Sequence, residues 1–254
     1  MEPQASAPPD GHAPSGGQAL RVRAPAAVEL RLVNGFELRR NGRTVPLPLT
    51  AQRLLAFLAF QERPVQRVYV AGKLWMDTGE ERASGSLRSA IWRVKQADDG
   101  LIRTPDTRLG LDPKVEVDVT SDVALARALI AGAAAPANGR LEALRGEILP
   151  DWYDDWLLME REVHRQLRLH ALEAVAGRYA EAARFGEAAD AALSAIACEP
   201  LRESAHRTLL RVYLAEGNPS EAARHAGLYR ELVERIGLEP SEQFEELAGR
   251  LTAR

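Results

Sequence analysis

The side chains best suited to binding chemistry fall in one short stretch, Ser84 to Gln96, with the sequence SGSLRSAIWRVKQ. At about 100° per residue, a helix over this stretch gathers its apolar residues on one side: Leu87, Ala90, Ile91 and Val94. The opposite side collects Arg88, Ser89, Trp92, Arg93 and Gln96. Arginine and glutamine form paired hydrogen bonds with guanine and adenine, and a large ring packs on a sugar or a thymine methyl. The outward face therefore suits a DNA groove, although by itself it also fits a solvated amphipathic helix.

The rest of the chain indicates neither a catalytic site nor a metal site. The five histidines form no HExxH pair, and the sequence has no GxSxG, Walker or GxGxxG motif. Cys198 has no activating base near it in sequence and is interpreted as a packing residue. The run from Asp151 to Trp156 offers paired carboxylates, but helix capping and core packing by Trp152 and Trp156 explain it more simply. We therefore expect no enzymatic activity, no cofactor and no bound metal.

Length and composition predict a globular protein of two domains. A chain of 254 residues with 46% apolar residues can bury sizeable cores. No run approaches the roughly 18 apolar residues that cross a bilayer, and the start of the chain lacks a secretory pattern. The single cysteine excludes an internal disulfide framework and fits a reducing compartment. We expect a cytoplasmic, nucleoid-associated protein with no membrane partner.

The near-neutral total charge hides a division between the two halves of the chain. Residues 21–119 carry 17 Lys and Arg against 12 Asp and Glu, a balance of +5 (17 − 12). Residues 120–254 carry 16 against 22, a balance of −6 (16 − 22), and residues 1–20 add −2 to give the total of −3. The basic front half suits an approach to phosphates, whereas the acidic back half does not.

The first segment of the chain lacks the large apolar residues of a folded core, and a strand pattern follows it. Residues 1–27 are rich in Pro, Gly, Ala and Ser and are predicted to be a disordered tail. From Val28 onward, apolar and polar residues alternate, and Asn41-Gly42 supplies the residue pair that a tight hairpin prefers. This pattern predicts a small antiparallel sheet at the start of a domain covering residues 28–119.

Three predicted helices follow this sheet. Apolar stripes indicate helices over residues 50–62 and about 68–76, and the stretch described first supplies the third helix from about Glu81. Three helices joined by short turns, with the basic face on the third, are the helix-turn-helix arrangement. Arg53 and Arg67, on the first two helices, are expected to hold phosphates.

A hairpin is predicted directly after the third helix. Leu101–Arg103 and Arg108–Leu111 are strand-like, and Pro105-Asp106 supplies the turn. In a winged helix this hairpin is the wing, and the arginines at its base would lie over a phosphate backbone. The alternation of three later valines predicts one more strand that pairs with the hairpin: Val115, Val117 and Val119.

Residues 120–254 are predicted to be helical without strands and to contain an internal repeat. Ala171 and Ala205 are 34 residues apart, as are Tyr179 and Tyr213. A 34-residue period of paired helices is the tetratricopeptide signature, and such repeats present a surface that holds another protein. The predicted fold class is mainly α with small antiparallel β elements: a winged helix-turn-helix domain followed by an all-α, tetratricopeptide-like domain.

Six short motifs occur in an order that is typical of one family of regulators. They are Arg63-Pro64-Val65; Leu74-Trp75-Met76-Asp77; Ala83 with Ser86-Leu87-Arg88; Trp92-Arg93; Leu109-Gly110-Leu111-Asp112 leading to Val117-Asp118; and Asp155-Trp156 with Glu160-Arg161. In this order, over about residues 28–252, the chain resembles the Streptomyces antibiotic regulatory proteins, the SARP family. Members join an OmpR-type winged helix to a bacterial transcriptional activation domain. Two departures are Met76, where the family commonly has Pro, and Gln66-Arg67 in place of a Ser/Thr cap.

The resemblance implies a transcriptional activator of specialised-metabolite, or antibiotic, gene clusters. Family members bind direct repeats of double-stranded DNA near the −35 region as side-by-side protomers and recruit RNA polymerase through its sigma and alpha subunits. Carried over to this sequence, the recognition positions are Arg88, Ser89, Trp92, Arg93 and Gln96, with Lys95 flanking them. The wing positions are Arg103, Thr107 and Arg108.

Two other functions remain open at this point. A winged helix joined to helical repeats also fits a protein-interaction module that binds no DNA. A cavity in the helical repeats would fit a regulator that responds to a small molecule, although no motif in the sequence indicates a ligand.

Overall fold

The computed structural model describes residues 28–133 and 140–250, so the tail predicted for residues 1–27 lies outside the described part. The strands are β1 Val28–Arg31, β2 Glu37–Arg40, β3 Arg43–Thr44, β4 Val65–Gln66, β5 Ile102–Arg103, β6 Arg108–Leu111 and β7 Val115–Val117. The helices are α1 Leu49–Ala59, α2 Arg67–Leu74, α3 Glu80–Ala97, α4 Asp118–Ile130, α5 Asp155–Glu181, α6 Phe185–Cys198, α7 Glu203–Glu216, α8 Pro219–Glu234 and α9 Glu242–Gly249. A short 3₁₀ helix covers Arg140–Leu144. The predicted fold class is confirmed.

The first sheet has the strand order β3-β2-β1-β7. Its hairpins are antiparallel, as predicted, and Asn41 (φ 48°) and Gly42 (φ 76°) form the turn between β2 and β3. β7 lies parallel to β1, with Val28 opposite Val115. The prediction that this strand pairs with the wing was wrong, because β4 occupies that place beside β6 and completes a second sheet, β4-β6-β5. Val119 is already inside α4.

The three front helices share one apolar core with the first sheet, through the apolar stripes that the sequence shows. α1 buries Leu54, Leu55, Phe57 and Leu58, each at most 2% exposed. α3 buries Leu87, Ala90, Ile91 and Val94, which are its predicted inner face. Transfer of such side chains from water is the main favourable contribution to folding, at about 1.5–3 kcal/mol for each large one. The buried face of α3 therefore holds the three helices together, and its opposite face stays in solvent.

The back half is built from paired helices, and the 34-residue repeat marks equivalent contacts. Ala171 in α5 and Ala205 in α7 are both fully buried, and Tyr179 and Tyr213 both pack in the same apolar cluster. Small residues at these contacts let the helices approach closely, because they have no side chain beyond Cβ. α5 begins at Asp155, inside the run from Asp151 to Trp156.

A segment just before α5 joins the back half to the first sheet. Ile148 forms a β-bridge with Val33, and the Leu149 N–H donates to the Leu32 carbonyl at 2.8 Å. Gly146 lies so close to this edge that an added Cβ would meet Val33 Cγ1 at 2.1 Å. Only a residue without a side chain fits this contact.

The two tryptophans of the acidic run pack as predicted, but against the front half of the chain. Trp152 stacks on Phe36 with ring centroids 6.1 Å apart, and Trp156 meets Phe57 edge-on at 5.3 Å. Ile148, Leu149 and Leu157 belong to the same apolar cluster as the helices of the winged helix. The core of the front half therefore includes residues far beyond position 119.

Candidate nucleic-acid interface

The outward face of α3 is exposed along its whole length. Its buried stripe packs against α1 and α2 and leaves six side chains in solvent: Arg88, Ser89, Trp92, Arg93, Lys95 and Gln96. Trp92 is 56% exposed, which is high for so large an apolar ring on a helix that also has a well-filled core face. The structure thus brings together all six positions predicted on this helix.

Charge at the two ends of α3 fits the helix dipole. Glu80 and Glu81 lie in the first turn, where partial positive charge favours carboxylates, and the N-cap residue, Gly79, provides no side-chain hydrogen bond to the helix. In the last turn, Lys95 pairs with Asp99 at 3.1 Å. Of the three cations among these six side chains, Lys95 is therefore the one whose charge is partly neutralised by a partner.

Trp92 and Arg93 form one unit on the exposed face. The guanidinium carbon of Arg93 lies 5.3 Å from the centroid of the Trp92 ring, within the range of a cation–π contact. This contact limits the motion of Arg93 but leaves its N–H donors free to bond. Within the described residues, neither Arg88 nor Arg93 has an ion-pair partner or a side-chain hydrogen bond. Their charge is available to an anion or to a base edge.

The wing carries its two arginines on an antiparallel hairpin. Arg103 lies opposite Gly110 in the β5–β6 pairing, and Asp106 adopts a left-handed conformation (φ 52°) in the turn. Arg103 and Arg108 are exposed and have no carboxylate partner in the part of the chain that the structure describes. Both guanidinium groups are therefore free to contact phosphate.

Thr107 connects the wing to the helix-turn-helix. Its hydroxyl donates to Gln66 Oε1 at 2.8 Å, and its carbonyl accepts the Arg67 N–H at 3.0 Å. This second bond satisfies a backbone donor at the start of α2, where Gln66 provides no side-chain cap. The Thr107 hydroxyl thus positions the wing against Gln66. The Thr107 carbonyl takes the place of the side-chain N-cap that α2 lacks.

Arg53, which was expected to contact phosphate, is bonded to other groups of the protein. Its Nε donates to Asp154 Oδ1 at 2.9 Å, and its Nη2 donates to the Leu74 carbonyl at 2.8 Å. These bonds direct the guanidinium toward the segment before α5. Arg67 is half-buried, with its Nε enclosed and lacking a partner among the described residues, so it is less available than the wing arginines.

One exposed basic residue on α3 was missed by the sequence reasoning. Arg82 lies seven residues before Ser89, which is about two helical turns, and therefore falls on the same face. The helical wheel would have found it had the stretch been started at the first turn of α3 rather than at Ser84. Arg82 extends the positive face toward the N-terminus of the helix.

The perturbed titratable groups lie in the back half, away from the exposed face of α3. Burial, followed by the nearby charge of Asp118, raises the pKa of Asp122 to about 7. Burial is also the main cause that lowers the pKa of His164 and of His225 to about 4. Within residues 28–133 and 140–250, no three His, Cys, Asp or Glu side chains are grouped so as to hold a metal ion.

Comparison with known families assigns the back half. Residues 115–252, more than half of the chain, match the family model described as the bacterial transcriptional activator domain. The chain belongs to that family. The matched region of this activator-domain protein runs from β7 into the residues after α9, and the family consists of transcription regulators rather than enzymes. The resemblance to SARP-type regulators that the sequence motifs indicated is thereby confirmed.

A solved structure supports the arrangement of the whole activator-domain chain. Mycobacterium tuberculosis EmbR, in complex with a low-affinity phosphopeptide, superposes with a TM-score of 0.69 over 90% of this chain at 19% identity. At this identity the likeness shows a shared fold. The chain spans 65% of the length of that EmbR chain. No curated protein matches significantly, and none of the helices described here is long and apolar enough to cross a membrane.

Proposed function

We propose that this protein is a sequence-specific DNA-binding transcriptional activator of the SARP type that inserts α3 into the major groove. The supporting observation is the exposed face of α3, where Arg88 and Arg93 have no ion-pair or hydrogen-bond partner among the described residues, beside a tryptophan that is 56% exposed. An indole ring exposed to water has no favourable apolar contact, whereas in a DNA groove it can pack on sugars and thymine methyls. The attached activator domain gives this face a role in transcription.

The residues divide into those that read bases and those that hold the backbone. Arg88, Arg93 and Gln96 would bond base edges, and Trp92 would pack on a sugar or a thymine methyl. A second set would contact phosphate: Arg82, Arg103, Arg108 and, less directly, Ser89, Lys95 and Arg67. Phosphate contacts fix the register of the helix without selecting sequence.

The proposed target is a pair of direct repeats near the −35 region of promoters in a specialised-metabolite gene cluster. Two protomers would bind side by side, and the helical half would recruit RNA polymerase through its sigma and alpha subunits. The bonds of Ile148 and Leu149 with the first sheet support this arrangement. They fix the helical half relative to α3, so that polymerase would meet it at a constant position on the promoter.

Footprinting on the promoters that neighbour the gene tests the proposal, followed by gel shifts across salt concentrations. A specific site should stay protected over random duplex at every salt concentration, while affinity falls steeply as salt rises. Arg103→Ala and Arg108→Ala should each weaken binding to all sequences alike and reduce the salt slope by about 1. Arg211→Ala is the matched control, because it removes one exposed arginine from α7.

Absence of any preference for one duplex over another, at all salt concentrations, would contradict DNA reading. The helical half would then be better explained as a protein-interaction module. A footprint that is lost in Arg93→Ala but kept in Arg211→Ala would place the reading function on α3.

A further inference from the structure

A small cavity in the activator domain has the chemistry of a ligand site that the DNA-binding function does not use. It lies between the start of α5 and the segment that joins the two halves, and its volume is about 210 Å³. Its walls include Ile148, Leu158, Arg161, His164, Arg168 and Cys198. This volume is below the roughly 300–1,000 Å³ of sites for drug-sized ligands, so it restricts an occupant to a small molecule.

His164 is an unsatisfied polar group in the wall of this cavity. The residue is only 3% exposed, and its Nε2 has no hydrogen-bond partner among the described residues. Buried polar atoms are nearly always hydrogen-bonded, because an unmet donor or acceptor costs about 1–3 kcal/mol. Burial and the charge of Arg168 lower the pKa of His164 to about 4, so the ring is neutral at pH 7. A neutral ring with a proton on Nε2 offers one donor to a ligand.

Two guanidinium groups give the cavity a positive interior. Arg161 donates to the carbonyls of Ile148 and Trp152, each at 2.8 Å, and also to the carbonyl of Leu149. These bonds use Nε and Nη2 and leave Nη1 without a protein partner within residues 28–133 and 140–250. Carbonyl oxygens satisfy donors but do not neutralise charge, so the full positive charge of Arg161 remains.

Arg168 repeats this pattern deeper in the wall. It is 3% exposed, and its Nε donates to the Leu144 carbonyl at 2.7 Å. Its Nη2 donates to the Arg145 carbonyl at 3.1 Å and to Cys198 Sγ at 2.9 Å. Its Nη1, like that of Arg161, has no partner in the described part of the chain. A buried cation without a paired carboxylate is costly unless an anion approaches it.

The carboxyl groups near the cavity do not cancel this charge. Asp122 is near enough for the charge of Arg168 to act on it, but burial raises the pKa of its carboxyl to about 7, so that it is only partly ionised at neutral pH. Glu147 and Glu162 line the cavity but are exposed to solvent, which screens them. Glu162 also pairs with Arg165, and Arg165 pairs in addition with Glu199. Ile148 and Leu158 provide apolar surface beside the charged groups. The cavity therefore combines an anion-binding interior with an apolar wall.

We propose that this cavity binds a small organic acid, with its carboxylate at His164 Nε2 and the free Nη1 groups of Arg161 and Arg168, and its short apolar body against Ile148 and Leu158. Ile148 is also the residue that bridges to Val33 in the first sheet. An occupant would thus touch the connection between the activator domain and the winged helix. The proposed site does not depend on DNA binding, and it is tested without DNA.

Isothermal titration calorimetry of the full chain with benzoate, butyrate and benzamide tests the proposal. Benzamide matches benzoate in shape but carries no charge. We expect benzoate or butyrate to bind saturably and benzamide to bind at least tenfold more weakly. Equal binding of benzoate and benzamide, or no saturable binding of either acid, would overturn the site. A rise in melting temperature with the acids should accompany binding, because a ligand of the folded state alone stabilises it.

Two variants with matched controls locate the binding. Leu158→Asp adds a carboxylate to the wall at a position that is 61% exposed, and it should weaken benzoate binding at least tenfold. Met159→Asp adds the same charge at the next residue, 68% exposed and outside the cavity lining, and should leave binding unchanged. His164→Phe should also weaken binding tenfold or more, whereas His170→Phe, an exposed histidine of the same helix, should not. Equal effects of Leu158→Asp and Met159→Asp would refute the location.

Discussion

Arg53 in α1 donates from Nε to Asp154 Oδ1 at 2.9 Å, across a sequence separation of 101 residues. Trp156 Nε1 donates to the same oxygen at 3.1 Å. Arg53 also donates to the Leu74 carbonyl at the end of α2. One carboxylate oxygen and one guanidinium therefore connect the first two helices of the winged helix with the start of α5.

Breaking this pair should destabilise the whole chain rather than one half. The side chains of Arg53 and Asp154 are 25% and 13% exposed, so water screens them little. We expect a double-mutant cycle of Arg53→Ala and Asp154→Ala to give a coupling energy of about 0.5–3 kcal/mol in urea unfolding. The same cycle on Arg184 and Glu187, an exposed pair within one helical turn, should show no measurable coupling. Additive effects at Arg53 and Asp154 would contradict this role.

Trp92 and Arg93 should differ in what they contribute to DNA binding. Arg93→Ala should cost about 1–3 kcal/mol at the specific site and relax the preference at one base position if Arg93 bonds a base edge. Trp92→Ala should weaken the specific site more than random duplex, because an apolar contact to a thymine methyl depends on sequence. Binding measured by fluorescence anisotropy on a set of single-base variants of the site distinguishes the two effects. Uniform weakening on every duplex would assign both residues to backbone contact.

Gly146→Ala should destabilise the joint between the two halves. The new Cβ would meet Val33 Cγ1 at 2.1 Å, so the first sheet or the joining segment must shift, at a cost of about 1–3 kcal/mol. Val33→Ala in the same chain should restore part of the loss. Gly177→Ala is the control, because nothing lies within 4 Å of its Cβ position and a helix interior favours Ala over Gly by up to about 1 kcal/mol. Thermal unfolding measures all three.

Asp122→Asn should stabilise the protein above neutral pH. The pKa of Asp122 is raised to about 7, so between pH 3.8 and 7 the folded state binds the proton that the unfolded state has lost. Stability from this group therefore falls as pH rises through that window, and the full penalty, on the order of 2–4 kcal/mol, is present at pH 8. Asparagine has no such penalty. The difference in melting temperature between Asp122→Asn and the parent chain should grow from pH 4 to pH 8.

A constant difference across that range would refute the assignment to Asp122. Buried histidines with a lowered pKa, such as His164, also change the stability of the protein between pH 4 and 6.5. Their effect has the opposite sign, because the free energy of unfolding decreases as pH falls. These histidines titrate in the same way in Asp122→Asn and in the parent chain, so their effects cancel in the difference between the two melting temperatures.

Features that depend on local periodicity could be predicted from the sequence. The buried and exposed faces of α3 follow from the spacing of Leu87, Ile91 and Val94, because residues three and four apart share one side of a helix. The turn at Asn41-Gly42 follows from the backbone conformations that these residues tolerate. The 34-residue repeat follows from small residues that recur at helix contacts.

Features that depend on distant partners could not be predicted. The alternation of Val115 and Val117 shows a strand with a buried face, but it does not select β1 over the wing as its neighbour. Likewise, Arg53 looks like an outward cation on α1, and nothing in its neighbourhood points to Asp154. Packing of Trp152 was predicted, yet its partner Phe36 lies more than a hundred residues earlier in the chain. Periodicity determines which face is buried and not which segment covers it.

The place of Ile148 and Leu149 beside the first sheet has a consequence for how the protein is made. A ribosome releases the chain from its N-terminus, and N-terminal domains usually fold first. Here the core beneath the sheet that starts at Val28 includes contacts from β7, Leu149 and Trp156, which are synthesised later. A nascent chain therefore cannot complete the core of its front half until the beginning of the activator domain has emerged, and a truncated product ending near residue 119 would lack part of that core.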